Sequence, residues 1–310
     1  MSAPFSHYSV LLNPAVEGLA IRPDGIYVDC TAGGGGHSFA IASHLQENGR
    51  LIAIDQDPAA LAAAKERLTP FASHVTLVQD NFSNLASILN GQSIDGALID
   101  LGVSSYQLDT PERGFSYQHD APLDMRMAPD APLSAFTVVN TYSEQELSRI
   151  IYTWGEERYA ARIAAKIVAA REKAPIRTTF QFVDVIKSAL PPQAKDGPHH
   201  PAKRTFQAIR IEVNRELDVI EPTLRVIANA LRPGGRVAAI SFHSLEDRIV
   251  KQTFSELCRG CTCPPNFPVC ACGKKPTLKL ITKKPILPDA SELAENPRSH
   301  SAKLRIAEKL

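Results

Sequence analysis

The first hundred residues alternate short apolar runs with longer amphipathic stretches. The runs are rich in β-branched residues and bounded by turn-forming residues, which is typical of buried strands. The stretches between them have helical spacing, and one of them begins at Pro58 and ends before Pro70. Strands alternating with helices of this length predict βαβ units, and therefore an α/β fold built on a parallel sheet. The predicted strands are "GIYVDC", "RLIAIDQD", "VTLVQDNF" and "IDGALIDLGVSS".

The pattern changes after Ser105. Residues 106–133 are rich in Pro, Asp and Arg, and residues 134–190 contain three helical patterns and no β-rich run. Alternation then resumes with a long amphipathic pattern that we expect to break or kink near Pro222. A turn at "RPGG", a buried strand at "RVAAISF" and a last strand in "KLRIAEKL" follow. The chain therefore predicts a discontinuous sheet domain, residues 1–108 and 203–310, interrupted by a helical insert, residues 109–202.

Four consecutive glycines, Gly33 to Gly36, follow the first predicted strand in "VDCTAGGGGHS". A glycine-rich turn between a strand and a helix lets a cofactor approach the backbone. Gly33 and Gly35 match the first two glycines of the dinucleotide fingerprint G-x-G-x-x-G, but its third position is occupied by Ser38. The turn therefore indicates a nucleotide-like cofactor, with an imperfect match to a dinucleotide.

Carboxylates end three of the four predicted strands: Asp29 the first, Asp55 the second and Asp100 the fourth. An acid at the end of the second strand is placed to accept hydrogen bonds from ribose hydroxyls. An acid before the glycines suits a cationic ligand better than a pyrophosphate. These features favour S-adenosylmethionine over NAD, and both stay open here. In an open α/β sheet the fourth strand adjoins the first, so Asp100 can face both cofactor and substrate.

Other residues are candidates at the same edge of the sheet. His37 can contact a cofactor through its backbone or its ring, and Gln107 lies just beyond the fourth strand. Phe82 follows the third strand and is either an adenine contact or a core side chain. His243, in "SFHSLED", is either a residue near the substrate or part of a helix cap.

Composition indicates an ordinary globular protein, and charge is distributed unevenly along the chain. Hydrophobic residues make up 44% of the chain and charged residues 22%, as in ordinary globular proteins. No transmembrane helix or secretory leader is predicted, so a cytoplasmic location is expected. Residues 1–200 contain 15 Lys and Arg against 22 Asp and Glu, whereas residues 201–310 contain 19 against 11. A basic C-terminal third indicates a polyanion-binding face or a solvated surface.

Five of the six cysteines lie in one segment, at Cys258, Cys261, Cys263, Cys270 and Cys272. Disulfides are not expected without a secretory context. The spacing C-x2-C-x-C-x6-C-x-C differs from the paired C-x2-C motifs of a strong zinc signal, so the sequence assigns no metal.

Taken together, these segments resemble the MraW/RsmH family of bacterial S-adenosylmethionine-dependent methyltransferases. That family acts on the N4 amino group of a cytidine in small-subunit ribosomal RNA. The resemblance covers nearly the whole chain and includes "HYSVLL", "DGALIDLGVSSYQLD", "HPAKRTFQAIRIEVNREL", "LRPGGRVAAISFHSLEDRIVK" and "ENPRSHSAKLRIAE". It implies a Rossmann-like class I methyltransferase sheet with an inserted helical domain that helps to hold RNA, within the assembled small subunit. It leaves open whether the enzyme is a monomer or a homodimer. It places cofactor contacts at Gly35, Gly36, His37, Asp55, Phe82, Asp100 and Gln107.

The implied reaction is displacement at a sulfonium methyl group by an exocyclic amine. The enzyme must align nitrogen, methyl and sulfur, and an acceptor on the amine would draw off positive charge. Many amino-methyltransferases carry Asp/Asn/Ser-Pro-Pro-aromatic after the fourth strand, where this chain has "DLGV" from Asp100. Asp100 is the catalytic candidate, and it can hold the cofactor, accept from the amine, or do both.

Basic and aromatic residues of three segments are candidates to face RNA once the base leaves its stack. Two other functions fit parts of the sequence, namely an NAD-dependent dehydrogenase and a non-enzymatic RNA-binding protein with a zinc knuckle. The candidates are Arg113, Phe115, Arg126, Arg204, Arg210 and Arg215, with Lys274, Lys275, Lys279, Lys283 and Lys284 as a phosphate-binding stretch.

Overall fold

The chain divides into two compact units in a computed structural model that describes residues 9–195, 200–261, 263, 269 and 272–310. The sheet unit comprises Met1–Gly102 and Leu217–Leu310, and the helical unit comprises Val103–Glu216. The boundaries after residues 108 and 202 expected from the sequence differ from these. The helical unit is larger because the helix of residues 203–214 packs on other helices of that unit.

The sheet unit is built on a seven-stranded sheet, which confirms the predicted α/β fold. In chain order the strands are β1 Ile26–Asp29, β2 Arg50–Asp55, β3 Val75–Gln79, β4 Ile94–Asp100, β5 Leu231–Ser241, β6 Leu278–Leu280 and β7 Lys303–Lys309. Their order across the sheet is β3-β2-β1-β4-β5-β7-β6. The first five of these are parallel neighbours, and β7 runs antiparallel to both β5 and β6. The three-residue β6 has no long apolar run and was not predicted.

Helices connect these strands. They are α1 Leu12–Leu19, α2 Gly36–Ala42, α3 Pro58–Arg67, α4 Leu85–Leu89, α12 Ile220–Ala230, α13 Ser244–Cys258 and α14 Ala290–Glu295, with 3₁₀ turns at Thr69–Phe71, Phe82–Asn84 and Pro297–Ser301. Asp57 caps α3 by accepting from Ala59 N at 3.0 Å, and Pro58 occupies its first position. Buried Glu292 of α14 accepts from Leu11 N at 2.7 Å, so the C-terminal segment anchors the start of α1.

Buried Asp95 fixes the amino end of β4 against its neighbours. Its carboxylate accepts from Ile26 N at 2.8 Å, from Arg232 at 2.8 Å and from Arg22. The register of β4 against β5 passes from Ile94↔Leu231 to Gly96↔Arg236, so residues 232–235 form a bulge. The "RPGG" segment predicted as a turn therefore lies within β5, because Asp95 and its arginine partner hold it there.

The helical unit contains no strand among its described residues. Its helices are α5 Ser105–Asp109, α6 Ala135–Thr141, α7 Glu144–Gly155, α8 Ala160–Arg171, α9 Thr179–Ala189, α10 Pro192–Lys195 and α11 Lys203–Asn214, with a 3₁₀ turn at Pro111–Arg113. Capping boxes start α7 at Ser143 with Glu146 and α9 at Thr178 with Gln181. One apolar core, including Ile150, Ile163 and Phe206, joins these helices. In the described part of the chain, no helix is both long and apolar enough to cross a membrane.

The long amphipathic pattern after residue 204 breaks at Arg215 and not at Pro222. Arg215 has a left-handed φ of +51° and ends α11 by donating its N–H to Ile211 O. Pro222 is the third residue of α12, where a backbone N–H has no intrahelical acceptor. The proline therefore fits the first turn of a helix without kinking it.

We predict that Gly155→Ala destabilises the helical unit. A Cβ at Gly155 would lie 2.7 Å from Arg204 O, because α7 and α11 pack backbone to backbone at this point. The overlap should cost about 1–3 kcal/mol of unfolding free energy, more than the helix propensity that alanine adds. Thr153→Ala, at an exposed position of the same helix, is the matched control and should change stability by less than about 0.5 kcal/mol. Equal denaturation midpoints for the two variants would contradict the prediction.

Candidate active site at the carboxyl edge of the sheet

The glycine-rich turn between β1 and α2 is held to the neighbouring strand by backbone hydrogen bonds. Ala32 N donates to Ile54 O of β2 at 2.8 Å, and Gly35 N donates to Ala32 O at 2.8 Å. Gly33 and Gly35 have φ of +51° and +77°, a conformation that glycine adopts without a steric penalty. The turn is therefore a defined structure in which at least two glycines are required by the backbone.

Two of the glycines are also required by packing within the protein. A Cβ at Gly35 would lie 3.1 Å from Cα of Ala64 in α3, and a Cβ at Gly36 would lie 1.8 Å from Oγ of Ser9. The glycines at these positions thus admit neighbouring protein atoms. A cofactor that approaches them would meet the backbone.

Asp29 anchors the turn from inside. It is fully buried, and its carboxylate accepts from Ser38 Oγ at 2.6 Å and from Thr31 N at 3.1 Å. Burial raises its pKa to about 6, and the hydrogen bonds from Ser38 and Thr31 oppose that shift. Both oxygens accept from the turn and the residue is fully buried, so Asp29 is a structural anchor. An electrostatic role toward a cationic ligand, as the sequence suggested, stays a prediction.

Asp55, at the end of β2, holds the turn from the other side. Its Oδ2 accepts from Gly33 N at 2.8 Å and its Oδ1 accepts from Asp57 N at 2.9 Å. Burial raises its pKa to about 6, against the lowering effect of these two hydrogen bonds. A carboxylate has about four acceptor positions, so Asp55 keeps acceptor capacity for further donors.

The segment after β3 is tied to the segment after β2. Asp80 N donates to Asp55 O at 3.1 Å, and Asn81 Nδ2 donates to Gln56 Oε1 at 2.9 Å. Phe82 follows directly and begins a 3₁₀ turn, with its side chain partly exposed. Phe82 therefore follows a segment that is tied to Asp55, and it is not a fully buried core residue; its contact with an adenine stays a prediction.

Asp100 ends β4 and is the least satisfied carboxylate of this edge. Its backbone N–H donates to Thr31 Oγ1 at 2.7 Å. Its Oδ2 lies 3.7 Å from His37 Nδ1, while its buried Oδ1 has no hydrogen-bond partner among the described residues. Burial first, and then the charges of Asp29 and Glu246, raise the pKa of Asp100 well above its usual value. An orphaned, buried acceptor is unfavourable in isolation and indicates a site that a donor completes.

The His37 ring is used inside the protein. It is buried, and its Nε2 lies 3.1 Å from Val10 O. A carbonyl oxygen only accepts, so Nε2 carries the proton and, in the neutral ring, Nδ1 faces Asp100 without one. His37 Nδ1 and Asp100 Oδ2, 3.7 Å apart, therefore attract each other only when one of the two groups carries a proton.

His243 caps α13 together with Glu246. His243 Nδ1 accepts from Glu246 N at 3.4 Å, while Glu246 Oε2 accepts from His243 N at 3.2 Å and from Phe242 N at 2.7 Å. This is a capping box, so of the two hypotheses for His243 the structure contains the helix cap. Glu246 is almost completely buried and adds negative charge near Asp100.

The edge of the sheet thus concentrates negative charge. The pKa values of Asp29, Asp55 and Asp100 are all raised, and no cation is among the groups that shift them. Removing water from like charges without a positive partner disfavours their ionised forms. A bound cation would reverse that effect, so the site suits a positively charged ligand.

Gln107 belongs to the helical unit, where it is buried in the capping box of α5. Its Oε1 accepts from Ser104 N at 3.1 Å and its own N–H donates to Ser104 Oγ at 3.2 Å. The side-chain oxygen of Gln107 therefore stabilises the start of α5.

Three of the arginines expected to face RNA have partners inside the helical unit. Arg113 donates to Arg126 O and Met127 O at 2.8 and 2.9 Å. Arg126 pairs with Asp124 at 2.7 Å, and Arg210 forms a bidentate pair with Glu216. These three arginines help to order the unit through contacts within the protein, and their contact with RNA stays a prediction.

The remaining candidates differ in their exposure. Phe115 is buried in the helical core, whereas Arg204 and Arg215 are exposed. The lysines at 274, 275, 279, 283 and 284 are exposed in the sheet unit, and Lys279 pairs with Glu308 at 2.7 Å.

The whole sequence matches one protein family. The profile described as the MraW methylase family covers residues 4–310. The chain belongs to this family. It is 55% identical over 309 residues to ribosomal RNA small subunit methyltransferase H of Brevibacillus brevis, covering 99% of this chain and 98% of that protein. It is 54% identical to the protein of the same name from Paenibacillus sp., covering 99% and 100%.

Family membership makes the chain a methyltransferase with S-adenosylmethionine as its cofactor, built on the Rossmann-like class I sheet that the strand order displays. Ribosomal RNA small subunit methyltransferase H of Clostridioides difficile is 53% identical over 309 residues, covering 99% of this chain and 99% of that protein. The resemblance stated from the sequence is confirmed.

Three residues that organise the site were missed from the sequence: Thr31, Ser38 and Glu246. Thr31 and Ser38 carry hydroxyls within the glycine-rich segment, and Glu246 stands three residues after His243. The spacing of His243 and Glu246 is that of a capping box, so Glu246 could have been identified from the sequence. Thr31 and Ser38 could not, because their bonds to Asp100 and Asp29 form only in the folded turn.

We predict that cofactor affinity falls as the pH falls through 6. Asp29 and Asp55 have pKa values raised from 3.8 to about 6, so they are anionic above that pH and neutral below it. A sulfonium cation with ribose hydroxyls favours the anionic forms, and each protonated group can reduce affinity by up to about tenfold per pH unit. Calorimetry between about pH 5 and pH 8 measures this slope.

Asp55→Asn is the matched variant for this measurement. It should bind S-adenosylmethionine more weakly at neutral pH and with a shallower pH dependence, because one titrating group is gone. S-adenosylhomocysteine, which lacks the sulfonium charge, should show the smaller slope with the unaltered protein. A flat pH profile for S-adenosylmethionine would contradict the prediction.

Proposed function

We propose that this protein transfers a methyl group from S-adenosylmethionine to the exocyclic N4 amino group of a cytidine in small-subunit ribosomal RNA. Its relatives are ribosomal RNA small subunit methyltransferases H, and this name supports small-subunit ribosomal RNA as the substrate. The observation that carries the chemistry is the buried, orphaned Oδ1 of Asp100 at the carboxyl edge of β4. The assembled small subunit in the cytoplasm is the proposed form of the substrate.

The residues present fit the cofactor. Asp55 retains acceptor positions for ribose hydroxyls, and the partly exposed Phe82 follows it along the edge for the adenine. The backbone of Gly35, Gly36 and His37 is proposed to line the approach. Asp100 and Gln107 complete the set that we assign to the cofactor.

The anionic edge also fits a sulfonium ion. Asp29, Asp55 and Asp100 all have raised pKa values, and a cation bound near them would stabilise their ionised forms. NAD carries a pyrophosphate, which these carboxylates would repel, so the dehydrogenase alternative is disfavoured by charge.

Asp100 is the proposed catalytic residue. When bound, S-adenosylmethionine supplies an electrophilic methyl group. Asp100 Oδ1 can accept a hydrogen bond from the cytosine amine, orient its lone pair and take the proton that the nitrogen loses on methylation. The raised pKa makes Asp100 a better base than an exposed aspartate once it is ionised. Thr31 Oγ1 accepts from the backbone N–H of Asp100 and so fixes the residue, and His37 Nδ1 lies 3.7 Å from Asp100 Oδ2.

We propose that the helical unit recognises the RNA, and an exposed basic face supports this role. Arg162 and Lys166 are exposed one turn apart on α8. Lys173 is exposed two residues after the end of that helix. Lys203 and Arg204 are exposed at the start of α11. Such side chains are suited to phosphate contacts that position RNA without reading its sequence.

The function is tested by methyl transfer from labelled S-adenosylmethionine to small ribosomal subunits that lack the modification, followed by nucleoside analysis. We expect label on N4 of cytidine, and faster transfer to subunits than to free RNA. Asp100→Asn should lower the single-turnover rate by about a hundred- to ten-thousand-fold. Its pH–rate profile should lose the rise that reports ionisation of Asp100.

Cofactor titration of the same variant separates two roles of Asp100. A lower rate at saturating cofactor supports catalysis, whereas weaker binding with an unchanged saturated rate would limit Asp100 to holding the cofactor. Label on another base, or on a protein, would refute the proposed substrate.

We predict that Arg162→Ala with Lys166→Ala weakens RNA binding and reduces its salt dependence. Each lost phosphate contact should lower the slope of log affinity against log salt by about 0.7 to 0.9. Lys65→Ala, an exposed lysine of α3 in the sheet unit, is the control and should leave the slope unchanged. Filter binding across a salt series measures both, and equal slopes for the double variant and the unaltered protein would argue against this face.

A further inference from the structure

The connection between α13 and β6 is closed at its base. Thr277 donates to Leu257 O through its N–H at 2.9 Å and through its Oγ1 at 3.2 Å. Next to this pair, a Cβ at Gly260 would lie 2.9 Å from Cδ of Pro276. The two arms of the loop are therefore in contact before the chain reaches the cysteines. Cys270 lies outside the described residues.

Three thiols converge directly beyond this base. The Sγ atoms of Cys261, Cys263 and Cys272 all lie within 4.8 Å of one another. The Sγ atoms of Cys261 and Cys272 are 3.7 Å apart. This distance is far beyond the ~2.05 Å of a disulfide bond. Zinc–sulfur bonds of ~2.3 Å in a tetrahedron place two sulfurs about 3.8 Å apart, so the observed separation is that of two thiolates on one zinc ion.

The backbone around the thiols supports the same assignment. Cys263 N lies 3.3 Å from Sγ of Cys261 and donates to it. An N–H that points at a sulfur stabilises the thiolate and orients it toward a metal. Gly273, directly after Cys272, has a φ of +62°, which lets the chain turn sharply behind that thiol.

We propose that Cys261, Cys263 and Cys272 bind a zinc ion. Thiolates are the donors that zinc prefers in structural sites, and hard cations such as Mg²⁺ are excluded by the absence of oxygen donors in this group. Three thiolates leave one of four coordination positions to a further donor or water. Each thiol releases its proton to solvent on binding, and the exposed Lys274 and Lys275 offset the remaining negative charge.

The sequence assigned no metal because the cysteine spacing is irregular. The contacts at the base of the loop bring Cys261, Cys263 and Cys272 together, so their irregular spacing in the sequence does not prevent them from sharing one metal ion. A zinc ion would fix a loop of nineteen residues, 259–277, that otherwise lacks helix or strand in its described part. It would also hold the lysines that follow in a defined position.

The test uses the full-length protein, purified with reductant and without chelators, and measures metal by mass spectrometry. We expect about one zinc per chain. Cys261→Ser, Cys263→Ser and Cys272→Ser should each lose most of it. Cys258→Ser is the matched control, because this thiol, the last residue of α13, stands outside the group of three. It should retain zinc fully.

Cobalt substitution gives a readout that does not depend on stability. Tetrahedral thiolate-bound Co²⁺ should show intense visible bands and sulfur-to-metal charge transfer in the unaltered protein and in Cys258→Ser, and weaker bands in the three ligand variants. Circular dichroism and S-adenosylmethionine binding establish that each variant is folded. Failure of the reduced protein to bind zinc, a native Cys261–Cys272 disulfide, iron with sulfide in place of zinc, or zinc content unchanged in the ligand variants would each overturn the proposal.

Discussion

One turn of the backbone is bonded to three aspartates, to two of them through their carboxylates, and the rest of the site depends on it. Ser38 and Thr31 N bind Asp29 from within the turn. Thr31 Oγ1 accepts from the backbone of Asp100, and Gly33 N donates to Asp55. The turn therefore links the carboxyl ends of β1, β2 and β4. Burial makes this arrangement costly, since a pKa of about 6 for Asp29 corresponds to about 3 kcal/mol of unfavourable free energy at neutral pH. The packed sheet must offset that cost.

The sequence was sufficient for features that depend on local pattern. Strand ends follow from apolar runs, and parallel strands bring their carboxyl ends to one edge, so Asp55 and Asp100 could be placed without coordinates. It was insufficient where side-chain partners depend on the packed structure. Arg126 and Arg210 look alike as candidates for RNA, and only the structure shows that each is paired with a carboxylate. The bulge in β5 likewise depends on Asp95, more than 130 residues away.

The glycines show the same limit. Their number suggested space for a ligand, whereas at Gly35 and Gly36 the missing side chain makes room for Ala64 and Ser9. A glycine in a sequence indicates that other atoms come close to its Cα, and those atoms can belong to the protein itself. The boundary of the helical unit was uncertain for a related reason. The amphipathic face of α11 fits either unit by pattern, and its packing on α7 decides the matter.

Exposure and hydrogen bonding separate the three carboxylates more clearly than charge does. Asp29 and Asp55 each accept a bond at both oxygens, but Asp29 is fully buried whereas Asp55 is partly exposed, and Asp100 has an oxygen with no partner among the described residues. All three have raised pKa values, so the direction of the pKa shift does not distinguish their roles. The proposed roles follow these differences: Asp29 anchors the turn, Asp55 accepts from ribose hydroxyls, and Asp100 meets the reacting amine. A ligand gains most where the protein has left an acceptor unsatisfied, because it removes a cost that the folded chain already bears.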